Sequence, residues 1–114
     1  MTEPTLFEKI IAREIPADIV FEDDLCIAFR DIAPQAPLHV LLCPKVPLKM
    51  LSEAVDGDGE LLAHLLLMAP RVAQSLGYPE GFRVVVNNGS DAGQTVFHLH
   101  LHILAGRPFD WPPG

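Results

Sequence analysis

Histidine occupies every second position of an apolar run near the carboxyl end of the chain, at His98, His100 and His102. A β-strand has a side-chain period of two, so the three imidazoles would share one face of the strand. The opposite face would carry apolar side chains that a core can bury, namely Leu99, Leu101 and Ile103. The run therefore predicts a strand over residues 96–104 with one face buried in the core and the other lined by imidazoles.

The spacing of these histidines disfavours a three-histidine zinc site. Same-face neighbours on a strand lie about 6.8 Å apart, from a rise of about 3.4 Å per residue, whereas zinc holds ring nitrogens at about 2.0–2.1 Å. The row suits groups that contact successive parts of an extended substrate. Imidazole is also well suited to nucleophilic and acid–base chemistry near neutral pH. A solvated strand face that happens to be rich in histidine is the alternative.

The loop that leads into the histidine run, residues 87–95, is rich in glycine and small polar residues. Glycine lets backbone N–H groups approach an anion closely, so this loop can cradle a phosphate, and a plain hairpin turn is the alternative. It is not a P-loop, because no Gly-Lys-[Ser/Thr] sequence follows it.

Two residues elsewhere could join the same site. His39 could relay a proton, and Asp31 could accept from ribose hydroxyls, the alternatives being a structural histidine and a turn aspartate.

The rest of the chain predicts an α+β domain. Its 114 residues, 49% of them hydrophobic, suit one domain over residues 1–114. Apolar spacing predicts a short helix over 4–12 and a long helix over 59–76, with a kink at Pro70 or a break near Ala69. The predicted strands cover residues 19–22, 26–29, 38–43, 82–87 and 96–104. We therefore expect an antiparallel sheet of about five strands with one long and one short helix.

Charge and cysteine content narrow the class of partners. The formal net charge of −7 would repel nucleic acids and anionic membranes at long range, and no apolar stretch is long enough for a transmembrane helix. Cys26 and Cys43 lie in apolar contexts, which favours free thiols in a reducing compartment over the alternative of a Cys/His zinc site. Since the amino end has no signal-peptide pattern, we expect a cytoplasmic protein. We also expect it to need no metal and no cofactor.

The histidine run resembles the signature of the histidine triad (HIT) family, His-φ-His-φ-His-φ-φ with φ apolar, over residues 98–104. Residues 29–37, 86–94 and 111–114 further resemble its purine nucleoside phosphoramidase branch, so the resemblance covers essentially the whole chain. It implies a homodimer whose two sheets join into one. It also implies hydrolysis of the P–N bond of purine nucleoside 5′-phosphoramidates, and hence a purine nucleotide or phosphoramidate as the bound partner.

The resemblance implies a role for each histidine of the site. The middle histidine of the triad, His100, would attack the α-phosphorus and form a nucleotidyl-histidine, which water would then hydrolyse. His102 would bind phosphate oxygens, and His98 and His39 would assist proton transfer. A dinucleoside polyphosphate hydrolase and a nucleotide-binding interaction module without turnover are the alternatives.

The remaining implied site residues bind the nucleotide. Backbone groups of Gly93 and Gln94 would form the phosphate cradle together with the Thr95 hydroxyl, and Asn87 would contact the phosphate or the sugar. Asp31 would bind the ribose hydroxyls, with Ile32 against the base. Trp111 would reach the partner subunit's site. The apolar slot for the base would consist of Phe7, Ile10, Ile15 and Phe29.

Overall fold

The computed structural model describes residues 3–114, within which there are five strands, two α-helices and three short 3-10 turns. The strands are β1 (Ile19–Glu22), β2 (Cys26–Arg30), β3 (Leu38–Pro44), β4 (Phe82–Val85) and β5 (Leu101–Ala105). The helices are the short α1 (Leu6–Ile11) and the long α2 (Gly59–Ser75). All strand pairs are antiparallel, in the order β1-β2-β3-β5-β4. The predicted α+β class and the predicted number of strands are confirmed.

Helix α1 is shorter than the predicted span 4–12, because side-chain capping fixes its first turn. The Thr5 hydroxyl accepts the N–H of Glu8 and the Glu8 carboxylate accepts the N–H of Thr5, both at 3.2 Å. This capping box places Pro4 outside the helix. The helix ends before Arg13, whose φ of 63° is left-handed. The side chains that α1 buries are Phe7 and Ile10.

The predicted hairpin between β1 and β2 forms around Asp23. One carboxylate oxygen of Asp23 accepts the N–H groups of Leu25 and Cys26, both at 2.8 Å, which is the turn chemistry expected of aspartate. The other oxygen lies 2.7 Å from Nε2 of His64 on α2. The carboxylate therefore ties the hairpin turn to the long helix.

Each face of the sheet buries its own apolar cluster. Helix α2 covers one face, where side chains such as Leu65, Met68 and Val72 meet the inward residues of the strands. Helix α1 covers the other face, with a smaller cluster of Phe7, Ile10, Ile27, Phe29, Leu41 and Cys43. Alternate residues of β2 and β3 thus enter different clusters, as the period of a strand requires.

Helix α2 runs through Pro70 as one element, so the break expected near Ala69 is wrong. Proline has no backbone N–H, so the helical hydrogen bond from residue 70 to the Leu66 carbonyl is absent. Leu66 is 61% exposed, so this turn faces solvent and water can satisfy the carbonyl. No helix within residues 3–114 has the length and apolar content that crossing a membrane would need.

The histidine strand is shorter than the predicted span 96–104. Pairing with β3 stops at Leu101 and pairing with β4 stops at His102, so β5 begins only at Leu101. His98 and His100 therefore precede the strand, and the prediction of one regular strand through all three histidines is wrong. The alternation nevertheless continues. The apolar members Leu99, Leu101 and Ile103 enter the cluster under α2.

Candidate active site

A cavity of about 660 Å³ opens beside α1, against the sheet face opposite α2 and the loop before the histidines. Its volume is in the range of pockets that hold small ligands. The predicted site residues that line it are Phe7, Ile10, Ile15, Phe29, Asp31, Ile32, Asn87, Gly93, Thr95, His100 and His102. The structure therefore brings most of the predicted site residues to one cavity.

Four predicted site residues do not line the cavity. His39 and His98 are buried, with 6% and 0% of their surface exposed, and each contacts a triad histidine from behind. Gln94 is buried with its side chain bonded inside the fold. Trp111 lies on the tail and is 84% exposed. The buried residues His39, His98 and Gln94 can therefore act on a ligand only through the groups that they hold in place.

His100 is fixed as a neutral ring with one defined lone pair. Its Nδ1 lies 2.7 Å from the carbonyl oxygen of His98, and since a carbonyl only accepts, Nδ1 carries the proton. Nε2 is then the unprotonated nitrogen. Burial lowers the pKa of His100, with its bond to the His98 carbonyl acting in the opposite direction. The ring of Phe7 on α1 packs edge-on against the imidazole, with the centroids 4.9 Å apart. His100 therefore offers a neutral, oriented nucleophile.

His98 supports this arrangement from the core. Its Nε2 donates to the carbonyl oxygen of Pro44 at 2.7 Å, across the gap where β3 no longer pairs with the histidine segment. The next residue, Leu99, donates its N–H to the carbonyl of Leu48 at 2.7 Å. Burial lowers the pKa of His98. These bonds hold the backbone whose carbonyl orients His100.

His39 and His102 form a pair whose proton positions follow from their partners. The N–H of Gln35 donates to Nδ1 of His39 at 3.0 Å, so the neutral His39 ring carries its proton on Nε2. That nitrogen lies 2.9 Å from Nδ1 of His102, which must accept. His102 is therefore protonated on Nε2. Burial, helped by the neighbouring histidines, lowers the pKa of His102 to about 4. The pair is neutral at pH 7 and presents an N–H donor at His102.

The loop before the histidines is held by the side chain of Gln94. Its amide nitrogen donates to the carbonyls of Lys49 and Val96 at 2.9 and 3.0 Å, and its amide oxygen accepts the N–H of Gly89 at 2.8 Å. The backbone N–H groups of Gly93 and Gln94 donate to carbonyls within the loop, at Ser90 and Gly89. These two groups are thus already engaged, which differs from the cradle expected from the sequence and leaves Thr95 as the loop's hydroxyl donor at the cavity.

Asp31 joins the end of β2 to the histidine pair. One carboxylate oxygen accepts the N–H of Ala33 at 2.8 Å, which is the turn role expected of aspartate. The other oxygen lies 3.5 Å from Nε2 of His39, and the backbone N–H of Asp31 donates to the His39 carbonyl at 3.0 Å. Ile32 is 98% exposed beside it at the cavity. The turn therefore presents a carboxylate and an apolar side chain together.

The cavity also contains residues that sequence reasoning missed. They are Leu6, Pro16, Ala17, Asp18, Arg30, Leu41 and Val96. Leu41 could have been found, because it lies two residues from His39 on β3 and opposite His102 on β5, hence on the histidine face. Asp18, just before β1, and Arg30, at the end of β2, form an ion pair at 3.2 Å, which no local pattern reveals.

Two groups of side chains in residues 3–114 bring potential metal ligands together, with the donor atoms of each group within 4.8 Å of one another. They are Asp31, His39 and His102, and Asp23, Cys26 and His64. In the first group the two ring nitrogens are bonded to each other. In the second, Asp23 and His64 form the pair that ties the hairpin to α2, and burial raises the pKa of the Cys26 thiol to about 12. Internal hydrogen bonding thus accounts for both groups.

Comparison with known proteins agrees with this geometry. The HIT domain family model matches residues 12–109. A HIT-like protein of Synechocystis is 66% identical over 100% of both chains, and the adenylylsulfatase HINT1 of Arabidopsis thaliana is 50% identical over 97% of this chain and 77% of its own. The crystal structure of a HIT family hydrolase from Legionella pneumophila superposes with a TM-score of 0.94 at 50% identity, covering 97% of this chain and 100% of that one. The resemblance seen in the sequence is confirmed, and the chain belongs to the HIT family.

Proposed function

We propose that this protein binds purine nucleotides and hydrolyses the P–N bond of nucleoside 5′-phosphoramidates through a nucleotidyl-His100 intermediate. Adenosine 5′-monophosphoramidate and lysine-linked AMP are the model substrates. One observation carries the proposal. The bond from Nδ1 of His100 to the His98 carbonyl leaves an oriented lone pair on Nε2 of a neutral ring that lines a ligand-sized cavity.

The chemistry proceeds in two displacements at phosphorus. Nε2 of His100 attacks the α-phosphorus and the P–N bond breaks. The leaving nitrogen accepts a hydrogen bond from the Nε2–H of His102, which stays neutral, and takes its proton from solvent. Water then attacks the nucleotidyl-histidine, releases the nucleoside monophosphate and gives up one proton to solvent. An alkyl amine leaves poorly without a donor facing it, so the tautomer of His102 matters for the first step.

The surrounding residues supply binding and charge stabilisation. The Thr95 hydroxyl and the His102 N–H are donors at the cavity for phosphate oxygens, and Asn87 adds a neutral donor. The carboxylate oxygen of Asp31 that lies 3.5 Å from His39 suits the ribose hydroxyls, with Ile32 against the base. The apolar slot proposed for the base combines Phe7, Ile10, Ile15 and Phe29.

Mass spectrometry of the intact protein, quenched during turnover, tests the mechanism. We expect an added nucleotide mass on the peptide that contains His100, and its loss in the His100→Ala variant, while that variant still binds AMP. Hydrolysis without an adduct under rapid quench would favour direct attack by water. AMP binding by both proteins without hydrolysis by either would favour the interaction module.

Adenylyl sulfate is a second candidate substrate, because a relative that is 50% identical over 97% of this chain is named an adenylylsulfatase. The same attack by His100 would expel sulfate, which leaves without a proton. A dinucleoside polyphosphate would likewise expel a nucleotide. Parallel assays on adenosine phosphoramidate, adenylyl sulfate and diadenosine polyphosphate rank the three by kcat/KM, and the proposal requires the phosphoramidate to lead.

We also propose that the protein is a homodimer in which two sheets join at β4. This strand is one of the two edges of the sheet, and an unpaired edge can pair with a second copy. Leu67 on α2 is 58% exposed, which leaves apolar surface on this helix for a partner. Light scattering should give twice the chain mass, and Leu67→Glu should shift the mass toward that of one chain.

A further inference from the structure

A continuous path of hydrogen bonds leads from the carboxyl-terminal tail to the cavity. The Arg107 guanidinium donates from Nε and Nη2 to the carbonyl oxygen of Gln35, at 3.2 and 3.0 Å. The N–H of the same Gln35 donates to Nδ1 of His39 at 3.0 Å, and Nε2 of His39 lies 2.9 Å from Nδ1 of His102. Gln35 is thus held on both sides, by an arginine and by a histidine.

We propose that Arg107 is a positioning residue that fixes the tautomer of His102 through Gln35 and His39. A guanidinium that grips one carbonyl with two N–H groups restricts orientation as well as distance. The grip is needed here because residues 32–35 are all exposed and have few bonds of their own. The bonds that brace this turn internally are the Asp31–Ala33 contact and one from the Gln35 side chain to the Ala33 carbonyl.

The consequence for chemistry follows from proton positions, and it rests on the proposed phosphoramidase function. While Gln35 donates to Nδ1, His39 keeps its proton on Nε2 and His102 keeps its own on the nitrogen that serves the leaving amine. If Gln35 moves away, His39 can hold its proton on Nδ1 instead. Nε2 of His39 then accepts, His102 turns its proton inward, and no proton faces the amine.

Arg83 provides a matched control for the alternative that Arg107 merely anchors the tail. Both arginines stack on the ring of Phe109, with guanidinium carbons 4.9 and 4.4 Å from its centroid for Arg83 and Arg107 respectively. Arg83 also holds the tail by donating to the carbonyl of Asp110 at 2.8 Å. Its hydrogen bond within residues 3–114 goes to the tail and not to Gln35. Loss of Arg83 therefore loosens the tail without touching the path to His102.

Nitrogen-15 NMR of the histidine rings tests the inference in the free protein, without any turnover. In the wild type and in Arg83→Met, Nδ1 of both His39 and His102 should show the shift of an unprotonated nitrogen. In Arg107→Met the Nδ1 signals should move toward the protonated shift, and Arg107→Lys, which keeps one donor, should fall between. Unchanged Nδ1 shifts in Arg107→Met, or equal changes in Arg83→Met, would overturn the inference.

Kinetics supply the second readout and separate this inference from the proposed function. Arg107→Met should lower kcat about tenfold for an alkyl-amine phosphoramidate, the size expected when a hydrogen bond that orients a reacting group is lost, with less than about twofold loss for a p-nitrophenyl ester, whose leaving group needs no proton. Equal losses on both substrates would contradict a role through the N–H of His102. If the wild type hydrolyses neither substrate, the proposed function fails, and the NMR result still decides whether Arg107 sets the tautomer.

Discussion

The imidazole of His100 donates to the backbone carbonyl of His98, two residues earlier, at 2.7 Å. One member of the triad therefore orients another, and the oriented ring, His100, is the proposed nucleophile. The ring of His98 is in turn bonded to Pro44, so the orientation of the reactive ring depends on a buried contact with the end of β3. His98 is thus a positioning residue, and the proposed reaction takes place at His100.

Alanine at position 98 should mainly lower the free energy of unfolding, whereas alanine at position 100 should mainly abolish turnover. His98→Ala removes a ring with 0% exposure and leaves the Pro44 carbonyl without its donor, so we expect a loss of about 3 kcal/mol in the free energy of unfolding. His100→Ala removes a ring that borders the cavity and should cost about 1 kcal/mol while abolishing turnover. Urea unfolding and a phosphoramidate assay on both variants measure the difference. Equal stability losses would show that the Pro44 bond does not matter.

Gln94→Ala should disorganise the loop before the histidines. The change leaves the Gly89 N–H and the carbonyls of Lys49 and Val96 without their partner, so we expect a stability loss of about 2–4 kcal/mol and a rise of about tenfold in KM for the phosphoramidate. Gln74→Ala is the control, because Gln74 is exposed on α2. A Gln94→Ala protein with wild-type KM would contradict the role given to this amide.

The loss of hydrolysis on the acid side should have its midpoint below the usual histidine pKa. Burial lowers the pKa of His100, and the proposed mechanism requires its neutral ring. The profile of kcat/KM should therefore stay high on lowering the pH through 6.5, the usual histidine pKa, and fall only further down. The His100→Ala rate is subtracted at each pH to remove hydrolysis by acid alone. A midpoint above pH 6.5 would mean that the ring is stabilised as a cation.

The free energy of unfolding should decrease as the pH is lowered, because of the same buried histidines. Burial lowers the folded-state pKa of His39, His98 and His100, and that of His102 to about 4. The unfolded chain then binds more protons than the folded chain once the pH drops below about 6.5, so the free energy of unfolding must fall with pH in that range. Urea titrations between pH 8 and pH 5 measure the slope. A flat profile would contradict the neutral assignment of these rings.

Asp23→Asn should loosen the hairpin from α2. Burial alone would raise the pKa of Asp23, but bonds from His64, Cys26 and Leu25 outweigh it and lower the value to about 2. The carboxylate therefore stabilises the fold above its unfolded pKa near 3.8, and this contribution is lost as the pH falls toward 2. We expect Asp23→Asn to cost about 1 kcal/mol at pH 7, measured by urea unfolding against Asp24→Asn. Equal stability of the two variants would argue against the His64 contact.

Local patterns predicted the sheet, the helices and the reactive face, because these depend on neighbours in the sequence. Alternation placed His100 and His102 together, although the strand itself starts at Leu101, since alternation persists where hydrogen-bond pairing has ended. The partner of His102 could not be read locally, because His39 lies 63 positions away. The backbone of Gln94 was expected in the phosphate cradle, and its N–H donates to the Gly89 carbonyl within the loop. The role of its side chain could not be read locally, because the buried amide bonds to Lys49, 45 positions earlier, and this contact exists only once the chain has folded.

The alternation through residues 99–103 has an evolutionary consequence. Leu101 and Ile103 contact the cluster under α2, whereas His100 and His102 line the cavity. Core packing and cavity lining are therefore encoded at interleaved positions of the same five residues, so selection can act mainly on one at a time. A saturation mutational scan of this stretch should split into two classes that alternate residue by residue, one losing mainly abundance in the cell and the other losing mainly turnover.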